Sequence, residues 1–75
     1  MLFLIEYDRT QGRLVSIREF ADSESAETAR LDLELKLNRS GVDREVVLLE
    51  AASQQALRKT HRRYFEDLSE LAKAS

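Results

Sequence analysis

The densest run of chemically capable side chains is RKTHRRYFEDL, residues 58–68. It holds four fixed cations, the only histidine of the chain and two aromatics, in a protein of net charge -2. On a helix Arg58 and Arg62 stand one turn apart, as do Lys59 and Arg63, so the four form a polar arc beside the Leu57, His61, Phe65 stripe. A positive arc with an aromatic edge is the makeup of a surface for RNA or DNA. Arg58, Lys59, Arg62 and Arg63 would contact phosphates and Tyr64 would lie near a base.

The same spacing supports a solvated face. Arg62 reaches Glu66 and Arg63 reaches Asp67 at i,i+4, which neutralises half the patch without a ligand. Basic before acidic is the weaker order for such pairs and opposes the helix dipole, yet the penalty is only about a few tenths of a kcal/mol. A third reading uses residues 19–34, which hold six acids against the single Arg30. That segment is an acidic counterpart to the basic one, within one subunit or between two.

Catalytic chemistry finds little support. His61 lies on the apolar stripe, the position of a boundary histidine with its ring packed and one nitrogen hydrogen-bonded. Cysteine is absent, and the serines are scattered with no G-x-S-x-G turn. The acid pairs Glu24/Glu27, Asp32/Glu34 and Glu66/Asp67 sit among basic residues on polar faces, where they solubilise. Gly12 and Gly41, the only glycines, stand too far apart to build a phosphate-cradling loop. One histidine and no cysteine leave no plausible structural zinc site or disulfide. The chain is therefore expected not to be an enzyme, with no cofactor and no metal.

The elements that must position these residues follow from pattern. With 75 residues, 43% hydrophobic and 35% charged, the composition is globular, and no apolar run approaches the roughly 20 residues that cross a bilayer. A cytoplasmic location with no membrane partner is the expectation. Residues 2–7 (LFLIEY) and 14–20 (LVSIREF) read as strands of a hairpin whose turn contains Gly12. If Gly12 forms a bulge there, Phe3, Ile5 and Tyr7 share the core face with Val15 and Ile17, and Leu2, Leu4 and Phe20 lie opposite.

Residues 22–40 conflict internally. Leu31, Leu33, Leu35 and Leu37 alternate at strand period, but the composition is helix-forming, Asp22 or Ser23 can cap the start, and Gly41 fits the left-handed stop. With Gly41 at that position, Leu37 and Val42 become the apolar pair of a Schellman ending. The helix then carries Ala26, Ala29, Leu33 and Leu37 on one face, with Leu31 and Leu35 nearly opposite. Residues 45–51 (EVVLLEA) read as a buried strand. A last helix is predicted from Ser53 to about Lys73, with Leu57, His61, Tyr64, Phe65, Leu68, Leu71 and Ala72 in one arc.

The fold class is thus α+β, one domain over residues 1–75. It is a ββαβα two-layer sandwich with a three-stranded antiparallel sheet in order 2-1-3 and both helices on one face, given a right-handed crossover through the first helix. Two helices on one face leave Leu2, Leu4 and Phe20 bare on the other. Leu31 and Leu35 on the outer side of the first helix, and the apolar edge Val46, Val47, Leu48 and Leu49, are also uncovered. So small a domain hides only roughly 60% of its unfolded surface, and without disulfide or metal a second copy is the remaining prop. The expected partner is another copy of the chain, in a homodimeric protein-interaction module, with nucleic acid as the alternative.

Overall fold

A computed structural model describes residues 1–66. The elements run β1 (Leu2–Asp8), β2 (Arg13–Phe20), α1 (Ser23–Ser40), β3 (Glu45–Glu50), α2 (Gln54–Thr60) and a 3-10 turn (Arg62–Tyr64). β1 is central and antiparallel to both neighbours, giving the predicted order β2-β1-β3. A β2-α1-β3 crossover has to seat β3 beyond β1, since β2 already occupies the other edge.

The hairpin turn is fixed by one side chain. The Asp8 carboxylate accepts from the backbone N–H of Thr10 at 2.9 Å and of Gln11 at 3.0 Å. Gly12, at φ 66°, donates its N–H to the Asp8 carbonyl at 2.8 Å. The irregularity in the ladder lies elsewhere: Glu6 pairs with Ser16 and Tyr7 with Leu14, so Val15 is the extra residue. This corrects the expected core. Val15 is 45% exposed, and Leu14 packs inward beside Ile17 instead. One unmatched residue exchanges the two faces of a strand from that point on.

α1 forms over the whole leucine-alternating segment, because capping and propensity outweigh the two-residue period. Asp22 accepts from the Ser25 N–H at 2.8 Å at its start. At its end Gly41 adopts φ 68°, Gly41 N–H donates to Asn38 O at 3.2 Å, and Val42 N–H donates to Leu37 O at 3.1 Å. These two bonds are the Schellman pair expected from Leu37 and Val42.

The core lies on the odd-numbered face of β1. Phe3, Ile5 and Tyr7 form one buried cluster with Leu57 of α2 and Tyr64 of the 3-10 turn, flanked by Leu14, Ile17, Val47, Leu49, Ala51 and Phe65. No residue of α1 belongs to it. Ala26 of α1 and Leu4, on the even face of β1, are nevertheless fully buried, and α1 runs across β1 and β3. α1 therefore covers the even face and α2 the odd one. The expectation of both helices on one face gives way to a helix on each side, as suits a central strand that is apolar on both faces.

α2 begins as predicted, with Ser53 Oγ accepting from the Ala56 N–H at 3.1 Å. It is much shorter than predicted. His61 leaves the helix at ψ 54°, and the 3-10 turn follows. Thr60 Oγ1 bonds back to the carbonyls of Ala56 and Leu57 at 3.3 and 3.4 Å, the habit by which threonine loosens a helix end. The rest of the predicted helix, residues 67–73 with Leu68, Leu71 and Ala72, lies outside the described residues.

Candidate functional site

The break at His61 decides what becomes of the basic run. On one continuous helix Tyr64 would share a stripe with Leu57. The tight turn instead drops its ring edge-on against Tyr7, with centroids 5.3 Å apart and planes at 89°. Tyr64 is 6% exposed, so no face is left on which a base could stack. Its hydroxyl donates to Glu45 Oε2 at 2.5 Å, and Arg63 Nη2 donates to the same carboxylate oxygen at 2.6 Å and to the tyrosine oxygen at 2.7 Å. The Arg63 guanidinium also stands 4.1 Å over the Tyr64 ring and 5.7 Å from that of Tyr7.

Glu45 is the hub of this arrangement. It opposes Tyr7 in the ladder and receives, besides Tyr64 and Arg63, a long contact from Arg9 at 3.9 Å. The hydrogen bond from Tyr64, aided by Arg63, holds its carboxyl below the usual range despite partial burial. Burial, and the hydrogen bond to the charged Glu45, push the Tyr64 phenol up. Both shifts favour the ionised acid and the neutral phenol seen in the contact.

The other cations are partly committed as well. Arg62 pairs with Glu66 at 3.0 Å, the i,i+4 contact expected from the spacing. The expected partner of Arg63, Asp67, lies outside the described residues, and Glu45 takes that role from 18 positions away. Arg58 stacks at 4.6 Å over Phe65. Lys59 is exposed on α2. His61 Nδ1 lies 2.9 Å from Thr60 Oγ1, and its ring is half-buried at 6.5 Å from Tyr64, the boundary position anticipated for it. The cluster fastens the end of α2 to the sheet; it does not hold out four free charges.

The apolar residues expected at an interface separate into three groups. Leu4 is 1% exposed and Leu2 and Phe20 are half-buried, because α1 covers the face on which they lie. Val46, Val47, Leu48 and Leu49 are half-buried on β3, an edge strand. Leu31 and Leu35 are each 53% exposed on the outer side of α1, where their angular positions place them.

A widely open groove of about 550 Å³ runs between the end of β2 and α1, past Arg18, Phe20, Ser25, Asp32 and Lys36. Arg18 lies 5.1 Å over the Phe20 ring along one wall. Among the described residues its lining holds no histidine, and its Asp22 and Ser25 belong to the N-cap of α1. Among the described residues no helix is long and apolar enough to cross a membrane, and no cluster of three or more acids and histidines could hold a metal ion. Sequence reasoning passed over Glu45 and Tyr7. The available signal was a charged residue opening an apolar strand, which marks a strand end but does not name its partner. No protein-family profile, curated protein or solved structure matches the chain.

Proposed function

We propose that this chain is a protein-interaction module that works as a homodimer. The observation that carries the reading is the pair Leu31 and Leu35, one turn apart and each 53% exposed on the outer side of α1. Two leucines left half-open on one helix are costly apolar surface for so small a domain, and a two-fold interface removes it with one self-complementary patch. The open grooves support binding over turnover, since chemistry needs a desolvated pocket with converging groups. Light scattering at micromolar concentration tests the reading: the expected mass is twice the 8.7 kDa of one chain. A monomer across that range would refute it.

Nucleic acid on α2 is the second reading. What favours it is that Arg58, Lys59 and Arg62 are all exposed. The pairing of Arg62, the stacking of Arg58 and the burial of Tyr64 weigh against it.

A further inference from the structure

The two edges of the sheet are unlike. β2 is guarded by the extra residue Val15 and by Arg13, Arg18 and Glu19 along its length. β3 is regular against β1 over all six residues, has no proline, and is apolar from Val46 to Leu49. Bulges and charges along a strand are the usual protection of an edge, and β3 has neither between its terminal glutamates.

We infer that a second copy of the chain pairs antiparallel with β3 across a two-fold axis at Val47, joining two sheets into one of six strands. The inference rests on the reading that the chain self-associates. Its register follows from the backbone. The Ala51 N–H donates to Met1 O at 3.1 Å, so residues 45, 47, 49 and 51 turn their amides toward β1. Val46, Leu48 and Glu50 therefore turn theirs outward, and no other described residue takes them up. A two-fold pairing must match outward residues with outward residues.

With Val47 opposite itself, Val46 meets the Leu48 position of the second copy, and Arg44 meets the Glu50 position at both ends. Glu50 lies on the same face of the sheet as Val46 and Leu48, and Arg44, just ahead of β3, is on that side through its contact with Glu6. Extending the pairing by one residue therefore sets opposite charges facing each other twice. Centring the pairing one residue pair further along would discard both contacts. Glu50 has no ion-pair partner among the described residues, while Arg44 holds Glu6 only at 3.4 Å.

The helices agree with this geometry. α1 lies over β1 and β3, and strands are spaced about 4.8 Å apart, so two-fold pairing sets the two α1 axes roughly 10 Å apart. That is the distance of packed helices. The flank of α1 beside β3 carries Glu34, Leu37 and Asn38, and Leu31 precedes Asn38 by seven residues, so it lies on that side. The pairing thus brings Leu31 toward its counterpart.

Since the chain has no cysteine, single introduced cysteines report the register directly. Val47→Cys should form an intermolecular disulfide under mild oxidation, because it faces itself in a non-hydrogen-bonded pair, whereas Leu48→Cys and Leu35→Cys should not. Glu50→Arg should weaken the dimer about tenfold by setting like charges opposite at two places, and Arg44→Glu combined with Glu50→Arg should restore it. Circular dichroism on each variant separates loss of the dimer from loss of fold. A dimeric wild type in which Val47→Cys fails to crosslink, or in which Leu35→Cys or Leu48→Cys crosslinks instead, overturns this pairing but leaves self-association standing. A monomeric wild type overturns both.

Discussion

Replacing Tyr64 by Phe removes one oxygen and leaves the ring against Tyr7, which isolates the polar half of the cluster. The lost group donates to the Glu45 carboxylate at 2.5 Å and accepts from Arg63 at 2.7 Å. A hydrogen bond to a charged partner contributes about 1.5–3 kcal/mol net. Arg63 still reaches Glu45 directly at 2.6 Å, so the carboxylate is not left alone and the loss should fall at the lower end, about 1.5 kcal/mol at pH 7. The pH dependence follows from the sign of the shift. Glu45 is held below its unfolded value, so its contribution is present above that value and is lost as pH falls through the lower native one. The Tyr64→Phe penalty should therefore shrink below about pH 4, toward that of a neutral hydrogen bond, about 0.5–1.5 kcal/mol. Urea denaturation of wild type, Tyr64→Phe, Glu45→Gln and the double variant, each at pH 7 and pH 3, closes the cycle. Additive single effects at pH 7, or a Tyr64→Phe loss that does not change with pH, would refute the role given to the carboxylate.

Tyr64 also sets an alkaline limit. Its phenol is raised above the unfolded value, so the associated stability is present below about pH 10 and is lost as pH rises through the native value; absorbance at 295 nm should show the Tyr64 phenol titrating late. Gly41→Ala meets nothing within 4 Å of the new Cβ, so its cost is that of a left-handed backbone alone, about 1 kcal/mol by denaturation, with Gly41→Asn costing less. Leu57→Ala opens the core where α2 has its only fully buried side chain and should cost about 2–5 kcal/mol, a large share of the roughly 4–11 kcal/mol expected of a chain this size. On duplex DNA the log-log salt slope should be no steeper than about -2, the value for Arg58 and Lys59 alone. A slope near roughly -4 that is lost on charge reversal at Arg62 and Arg63 would restore the nucleic-acid reading.

The parts of this fold that were legible in the sequence are those whose causes are local. Gly41 with Leu37 and Val42 spells a helix end in six residues, and Ser53 caps a helix from three residues away. The order β2-β1-β3 follows from handedness and a count of connections. What was not legible depends on distant partners. Nothing near Val15 announces that it, and not Gly12, is the unmatched residue, because Tyr7 chooses Leu14 only once Tyr64 and Leu57 close that side of the sheet. The end of α2 at His61 likewise reflects a contact with Glu45, 19 positions before Tyr64, which outweighs the helix propensity of the arginines. Placing both helices on one face failed for a related reason. Phe3, Ile5 and Tyr7 mark one core face of β1 and leave Leu2 and Leu4 as bare surface opposite, whereas Leu4 is buried under α1.

The central position of β1 orders how the chain can be completed during synthesis. Its pairing with β2 closes over a turn of a few residues and is available as soon as the hairpin leaves the ribosome. Its other side must wait for β3, which joins Leu4 to Leu48 and Ile5 to Val47 across some forty residues of chain. Through that interval the backbone of Phe3, Ile5 and Tyr7 stands open on one side of a strongly apolar strand. The nascent hairpin is therefore the species most exposed to mispairing, and amide exchange should protect the β1–β2 ladder before the β1–β3 ladder as refolding proceeds.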